Sequence, residues 1–159
     1  MEPTAGEVYI EDIAHALSLL CRFNGHCLRF YSVAEHSVRV SRALDGKAAL
    51  WGLLHDAGEA YVGDVPRPAK RLLPRFDEIE DRILRVVLTK YGLEWPAPDS
   101  VWRADDQLLV TEARDLMSAA PEPWGIDATP LAEPIVPWSP EEAKRAFLAR
   151  FVELGGSES

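Results

Sequence analysis

The stretch from Lys47 to about Ala57 is rich in Ala and Leu and nearly apolar all round. A helix with no polar face has nothing to present to water, so other elements must enclose it. Near its end comes the pair His55-Asp56, an imidazole and a carboxylate in the most apolar part of the chain. Burying both is costly unless they are paired or bound to a metal. One segment thus constrains the fold and the chemistry together.

Around it the helical signals recur. Ile10, Ile13, Ala14, Leu17 and Leu20 follow helix spacing, with Asp12 early in the segment and Gly25 beyond its end. Ser32-Val-Ala-Glu35 is a capping-box pattern, starting a helix to about Leu44, before Asp45-Gly46. A further helix is predicted over Phe76 to Tyr91, closed by Gly92, with Ile79, Ile83, Leu84, Val87 and Leu88 as its apolar set. Asp99 or Ser100 opens another, to about Met117. Ser139-Pro140-Glu141-Glu142 combines an N-cap, a Pro at the first helical position and a box Glu, for a helix ending near Leu154. Between Ala119 and Trp138 five prolines (Pro121, Pro123, Pro130, Pro134 and Pro137) argue against any regular element. Loops of that length often cover a site or an interface. No alternating strand pattern appears. The expectation is an all-α bundle of about six main helices, one domain over residues 1–159.

Charge narrows the partners. The net charge is −9, from 17 Lys+Arg against 26 Asp+Glu. A domain that grips nucleic acid through its backbone shows the opposite balance, so nucleic acid is not the expected partner. A small anionic substrate remains compatible, since a bound metal can reverse the field locally. No apolar run approaches the roughly 18 residues of a membrane span, and no signal peptide is visible, so a cytoplasmic protein without membrane contact is expected. Cys21 and Cys27 match no zinc signature and form no disulfide framework; they are expected as buried or half-buried thiols.

His36, His55-Asp56 and Asp105 ask for a joint explanation. Neighbours on a helix diverge by about 100°, yet His55 and Asp56 can reach one ion beside the helix from either flank. Two imidazoles and two carboxylates suit one divalent transition metal: Mn, Fe, Co, Ni or Zn. Asp106 adjoins Asp105, and composition alone does not choose between them.

The pair continues as His55-Asp-Ala-Gly-Glu59, then Gly63-Asp64-Val-Pro-Arg67-Pro-Ala-Lys70. Earlier stand Arg22-Phe23-Asn-Gly-His26 and Phe30-Tyr31-Ser32-Val-Ala-Glu-His36; later, Ala104-Asp105 and Thr111-Glu112-Ala-Arg-Asp115. From about Ile10 to Met117 the chain resembles the HD superfamily of phosphohydrolases, whose motif is a His, a later His-Asp pair and a distant Asp. It is most similar to the compact branch of bacterial 5'-deoxynucleotidases and phage dATP triphosphohydrolases. The resemblance implies an HD-type bundle with metal ligands His36, His55, Asp56 and Asp105, the register favouring Asp105 over Asp106. It also implies a homo-oligomer, dimer or larger ring.

Roles follow by position. Glu59 lies four residues after His55, sharing its face if the helix continues, and is placed to activate water or protonate the leaving oxygen. Asp64 matches a second carboxylate of the branch, as general acid or water positioner. Arg22 matches a phosphate-binding Arg, with a planar fork for bidentate contact. Lys70 and Arg67 are loop candidates for phosphate, with a plain surface role as the alternative. Phe23 is a candidate for base or sugar, or else core; His26 for phosphate, or else structural. The implied substrate is a (deoxy)nucleotide, a second ion such as Mg accompanying its phosphates. The expectation leans to a dNTP cleaved to deoxynucleoside and triphosphate; a 5'-deoxynucleotidase on dNMPs and a non-catalytic nucleotide sensor are the alternatives. The (p)ppGpp hydrolases carry Glu-Asp after the His-Asp pair, and cyclic-di-nucleotide enzymes a Gly-Tyr-Pro motif; this chain has neither.

Overall fold

The computed structural model describes residues 4–119 and 124–157, which leaves Pro121 and Pro123 outside. Six long helices form: α1 (Ile10–Leu19), α2 (Val33–Arg42), α3 (Gly46–Leu54), α6 (Phe76–Lys90), α7 (Asp99–Leu116) and α8 (Pro140–Glu153). Two single turns, α4 (Glu59–Val62) and α5 (Arg67–Lys70), lie between the third and fourth of these. No strand forms among the described residues, where the extended pairing is an isolated bridge between Cys21 and Ser32. The protein is all-α. No helix among the described residues is long and apolar enough to cross a membrane.

The most enclosed helix is α2 rather than α3 alone. It packs against α1, α3, α7 and α8, and α3 in turn against α2, α6, α7 and α8. Along α2 every residue from Val33 to Val40 except Arg39 is buried. Three of its buried polar side chains, Glu35, His36 and Ser41, find partners on other elements, while Ser37 Oγ has none among the described residues. Ser41 accepts from Arg150 Nε of α8 at 3.0 Å, and Glu35 accepts from Arg39 and from the Trp138 backbone N–H. The expected box at the start of α2 is therefore only half made. Ser32 Oγ accepts from the Glu35 N–H at 3.1 Å, but the Glu35 carboxylate turns inward instead of back to Ser32. At α8, where Glu142 is exposed, the Ser139–Glu142 box closes in both directions.

Between α2 and α3 the backbones come close. A Cβ at Gly52 would lie 2.9 Å from Leu44 Cδ1, 3.2 Å from Val40 Cγ1 and 3.3 Å from the Ser41 Cα. The α-helix then stops at Leu54 rather than at about Ala57. His55 to Gly58 tighten into turns bonded three residues apart, such as Ala57 N–H to Leu54 O and Glu59 N–H to Asp56 O. The path stays right-handed, with His55 and Gly58 both at φ −61°, and runs on into α4.

The main core gathers Ile13, Leu17, Leu53, Leu54, Phe147 and Phe151. From α6 it takes Leu84, Val87 and Leu88. Ile79, expected in that apolar face, is 48% exposed, because the buried side chains of α6 begin only at Leu84. The segment 124–138 is irregular, as its prolines require, and is tied to α7: Leu131 N–H donates to Thr111 Oγ1 and Ile135 N–H to Asp115 Oδ2.

Candidate metal centre

The site forms where α2, the end of α3 and α7 converge. His36 projects from the middle of α2, His55 and Asp56 from the tightened turn after α3, and Asp105 from α7. His36 Nδ1 donates to Glu112 Oε1 at 2.6 Å, and His55 Nδ1 donates to the Gly52 carbonyl at 2.8 Å. A carbonyl oxygen can only accept, so the neutral His55 carries its proton on Nδ1 and offers an Nε2 lone pair. His36 is oriented in the same sense by Glu112. Both Nε2 atoms then meet 3.3 Å apart.

Carboxylate oxygens close the ring. Asp56 Oδ1 is 3.3 Å from His55 Nε2, and Asp105 Oδ1 is 3.1 Å from His36 Nε2. Ligand atoms of His36, His55 and Asp56 lie within 4.8 Å of one another, and this buried group can hold a metal ion. Bonds of about 2.1 Å to one ion would place neighbouring donor atoms roughly 3 Å apart, close to the spacing found. Lone pairs and anionic oxygens converging this closely repel unless a cation or proton lies among them. In the metal-free protein that proton sits on His36. Burial and the nearby Arg22 charge push it down, but Glu112 and Asp105 outweigh them and lift it to about 9. Burial works against ionised Asp105 as well, yet the hydrogen bond and charge of His36 hold it well below the usual carboxylate range.

Asp105 and Asp106 differ in orientation, and the group that can hold an ion comprises His36, His55 and Asp56, with Asp105 beside it. The Asp105 side chain is 11% exposed and lies between the histidines and Arg67, whereas that of Asp106 is 43% exposed and reaches Arg67 only at 3.9 Å.

The centre lies at one side of a cleft of about 710 Å³, within the range of small-molecule sites. Arg22, Phe23, Glu59, Asp64, Arg67 and Lys70 all line it. Arg22 is buried and already engaged, its Nε donating to Glu112 Oε2 at 3.2 Å and one terminal nitrogen to Asp56 Oδ2 at 3.4 Å. Lys70 is held by both oxygens of Glu80, at 2.8 and 2.6 Å, and Arg67 is exposed and reaches Asp105 at 3.3 Å. Glu59 is buried, and its Oε2 has no hydrogen-bond partner among the described residues. Burial first, then the charges of Asp56 and Asp64, push its carboxyl well above the usual range. Burial raises Asp64 too. His26, by contrast, stands exposed after the 3₁₀ turn Arg22–Gly25 and does not line the cleft.

Two features escaped the sequence reading. Glu112 is fully buried and joins His36 to Arg22, which makes it the support of the whole centre. Its place two helical turns after Asp105, on the same face of α7, was the available signal. The second is an aromatic wall in which Trp124, from the proline-rich segment, stands 6.0 Å from Phe23, with Trp102 also lining the cleft.

Fold and site together define an all-helical protein with an enclosed His/Asp group fit for a metal. No family model matches the chain. It is 41% identical over 152 residues to the uncharacterized protein YfdR of Escherichia coli (strain K12), covering 93% of this chain and 85% of that protein. It is also 36% identical over 157 residues to the uncharacterized protein RCAP_rcc00048 of Rhodobacter capsulatus, covering 92% of this chain and 72% of that one. The chain belongs to the family that contains these two proteins.

Proposed function

We propose that the protein is a divalent-metal-dependent phosphohydrolase of the HD type acting on deoxynucleotides. The observation that carries the reading is the convergence of His36 Nε2, His55 Nε2 and an Asp56 oxygen within 4.8 Å, beside Asp105 and inside a cleft that also presents Glu59 and Arg22. His36, His55, Asp56 and Asp105 would hold one ion of Mn, Fe, Co, Ni or Zn. Bound there, it would lower the pKa of water and polarise a phosphoryl oxygen.

The remaining steps belong to the chain. Glu59, whose carboxyl burial and the charges of Asp56 and Asp64 push well above the usual range, is suited to give a proton to the leaving oxygen and take one back from water. Asp64, on the same cleft wall, positions that water or shares the proton. Arg22, fixed between Glu112 and Asp56, directs its remaining guanidinium donors at phosphate; Arg67 and Lys70 add positive charge at the loop, where an ion such as Mg would accompany a polyphosphate. Phe23, Trp124 and Trp102 offer flat apolar faces on which a base or sugar can stack.

The favoured substrate is a dNTP cleaved at the α-phosphorus, in keeping with the phrasing of Arg22-Phe23-Asn-Gly-His26 and Phe30-Tyr31-Ser32-Val-Ala-Glu-His36. Purified protein is incubated with Mn²⁺ or Co²⁺ and each dNTP and dNMP in turn. Triphosphate and deoxynucleoside released without orthophosphate support this substrate. Orthophosphate from dNMPs alone identifies a 5'-deoxynucleotidase instead, and bound nucleotide without turnover a sensor. A homo-oligomer working in the cytoplasm completes the proposal.

A further inference from the structure

Cys21 and Cys27 bracket the segment that delivers Arg22 and Phe23 to the cleft. Between them the backbone reverses through three successive left-handed residues, Phe23, Asn24 and Gly25, at φ 57°, 50° and 76°. Both ends of the reversal are held. The Arg22 N–H donates to the Tyr31 carbonyl at 2.9 Å and Cys21 bridges Ser32, while the Leu28 N–H donates to the Leu116 carbonyl of α7 at 2.8 Å. The reversal folds Cys27 back onto Cys21, leaving the two Sγ atoms 3.5 Å apart and both thiols half-buried.

We propose that Cys21 and Cys27 are a reversible thiol–disulfide site, oxidised by peroxide and reduced by dithiols. A disulfide needs its sulfurs about 2.05 Å apart, so the two Sγ atoms, already in contact at 3.5 Å, must approach by about 1.5 Å. The chemistry balances in two steps. Peroxide oxidises one thiolate to a sulfenic acid and leaves as water or hydroxide. The second thiol then attacks the sulfenic sulfur, forming the S–S bond and expelling a second water. Two thiols and one hydrogen peroxide give one disulfide and two waters. A dithiol restores the pair by exchange through a mixed disulfide. Burial and the adjoining Cys21 thiol push the Cys27 thiol up, so oxidation quickens as pH rises above neutral.

The ring so closed contains Arg22, whose guanidinium spans Glu112 and Asp56. Oxidation therefore locks the backbone behind a residue that braces the metal centre. The redox site stands whether or not the phosphohydrolase reading does, because its test reads covalent state and not turnover.

Trypsin supplies the readout. It cuts after Arg22 and after Arg29, so the two cysteines fall in separate peptides, 1–22 and 23–29, unless a disulfide joins them. The folded full chain is treated with hydrogen peroxide or dithiothreitol, blocked with N-ethylmaleimide in denaturant, and analysed intact and after digestion. The expected result is an intact mass lower by two hydrogens, no maleimide adduct, and about tenfold more linked peptide than in the reduced control, lost again on adding dithiothreitol. Two maleimides on the peroxide-treated monomer overturn the proposal, as does a disulfide found only between two chains or a stop at sulfinic acid. Cys21→Ser and Cys27→Ser check specificity. Neither variant can yield the linked pair, so a mass matching it in either variant would discredit the assignment.

Discussion

Glu112 Oε1 lies 2.6 Å from His36 Nδ1, although the two residues are 76 positions apart in the chain. The same carboxylate accepts from Arg22, so one buried acid orients an imidazole and compensates a buried cation. Glu112→Gln keeps the shape and removes the charge. Breaking one member of a buried ionic set costs about 3–5 kcal/mol, and loss of the partner behind a ligating His costs about 10–100-fold in metal affinity. Urea unfolding and metal titration of the same variant should show both losses. A variant that keeps wild-type values in both would remove Glu112 from its supporting role.

The adjacent acids on α7 should behave differently. Asp105 faces the two imidazoles and Arg67, whereas Asp106 is largely exposed and lies farther from Arg67. Asp105→Asn is expected to weaken binding of Mn²⁺ or Co²⁺ by at least about 10–100-fold, the loss that removing even a partner behind a ligand causes. Asp106→Asn should stay within about threefold, as for an exposed charge. Calorimetric titration of the two variants decides it, and equal losses would contradict the geometry.

Metal uptake should release a proton. His36 of the metal-free protein titrates at about 9, above its ordinary 6.5, so at pH 7 it is protonated. An ion needs that nitrogen's lone pair and must displace the proton. Apparent affinity therefore improves by about tenfold for each pH unit gained up to about 9, and levels off above it. Adding metal to chelator-stripped protein in weakly buffered dye at pH 7.5 should acidify the solution by about one proton per ion. Uptake without acidification would exclude this route.

Glu59→Gln separates chemistry from architecture. If Glu59 moves the proton, turnover on the preferred deoxynucleotide falls by about 10²–10⁴-fold while metal content is unchanged. The melting temperature should stay close to wild type, since the buried carboxyl is replaced by an amide of nearly the same shape at a position that lacks a partner in either case. Wild-type turnover in this variant would reassign the proton to Asp64.

The parts legible from sequence are those decided locally. The box at Ser139, the left-handed stop at Gly92 and the His55-Asp56 pair are each written within a few residues, and each appears in place. What stayed hidden depends on distant partners. The burial of Glu35, His36 and Ser41 depends on Trp138, Glu112 and Arg150, which arrive from distant parts of the chain. Ile79 erred the other way, since its spacing matched an apolar stripe but the side chain is 48% exposed and the buried residues of α6 begin only at Leu84. Arg22 and Lys70 carried the right charge for phosphate, and sequence could not show that Glu112, Asp56 and Glu80 hold them first.

His36 and His55 belong to different helices, so the gap between their nitrogens is a property of neither helix. It depends on how near α3 lies to α2, and at Gly52, three residues before His55, the two come close enough that an added Cβ would lie 2.9 Å from Leu44 Cδ1 and 3.2 Å from Val40 Cγ1. The same residue's carbonyl aims the His55 ring. A side chain at Gly52, which touches no ligand atom, would press on the seam between the two histidine-bearing segments. A search for tuning mutations confined to the ligands would pass over it.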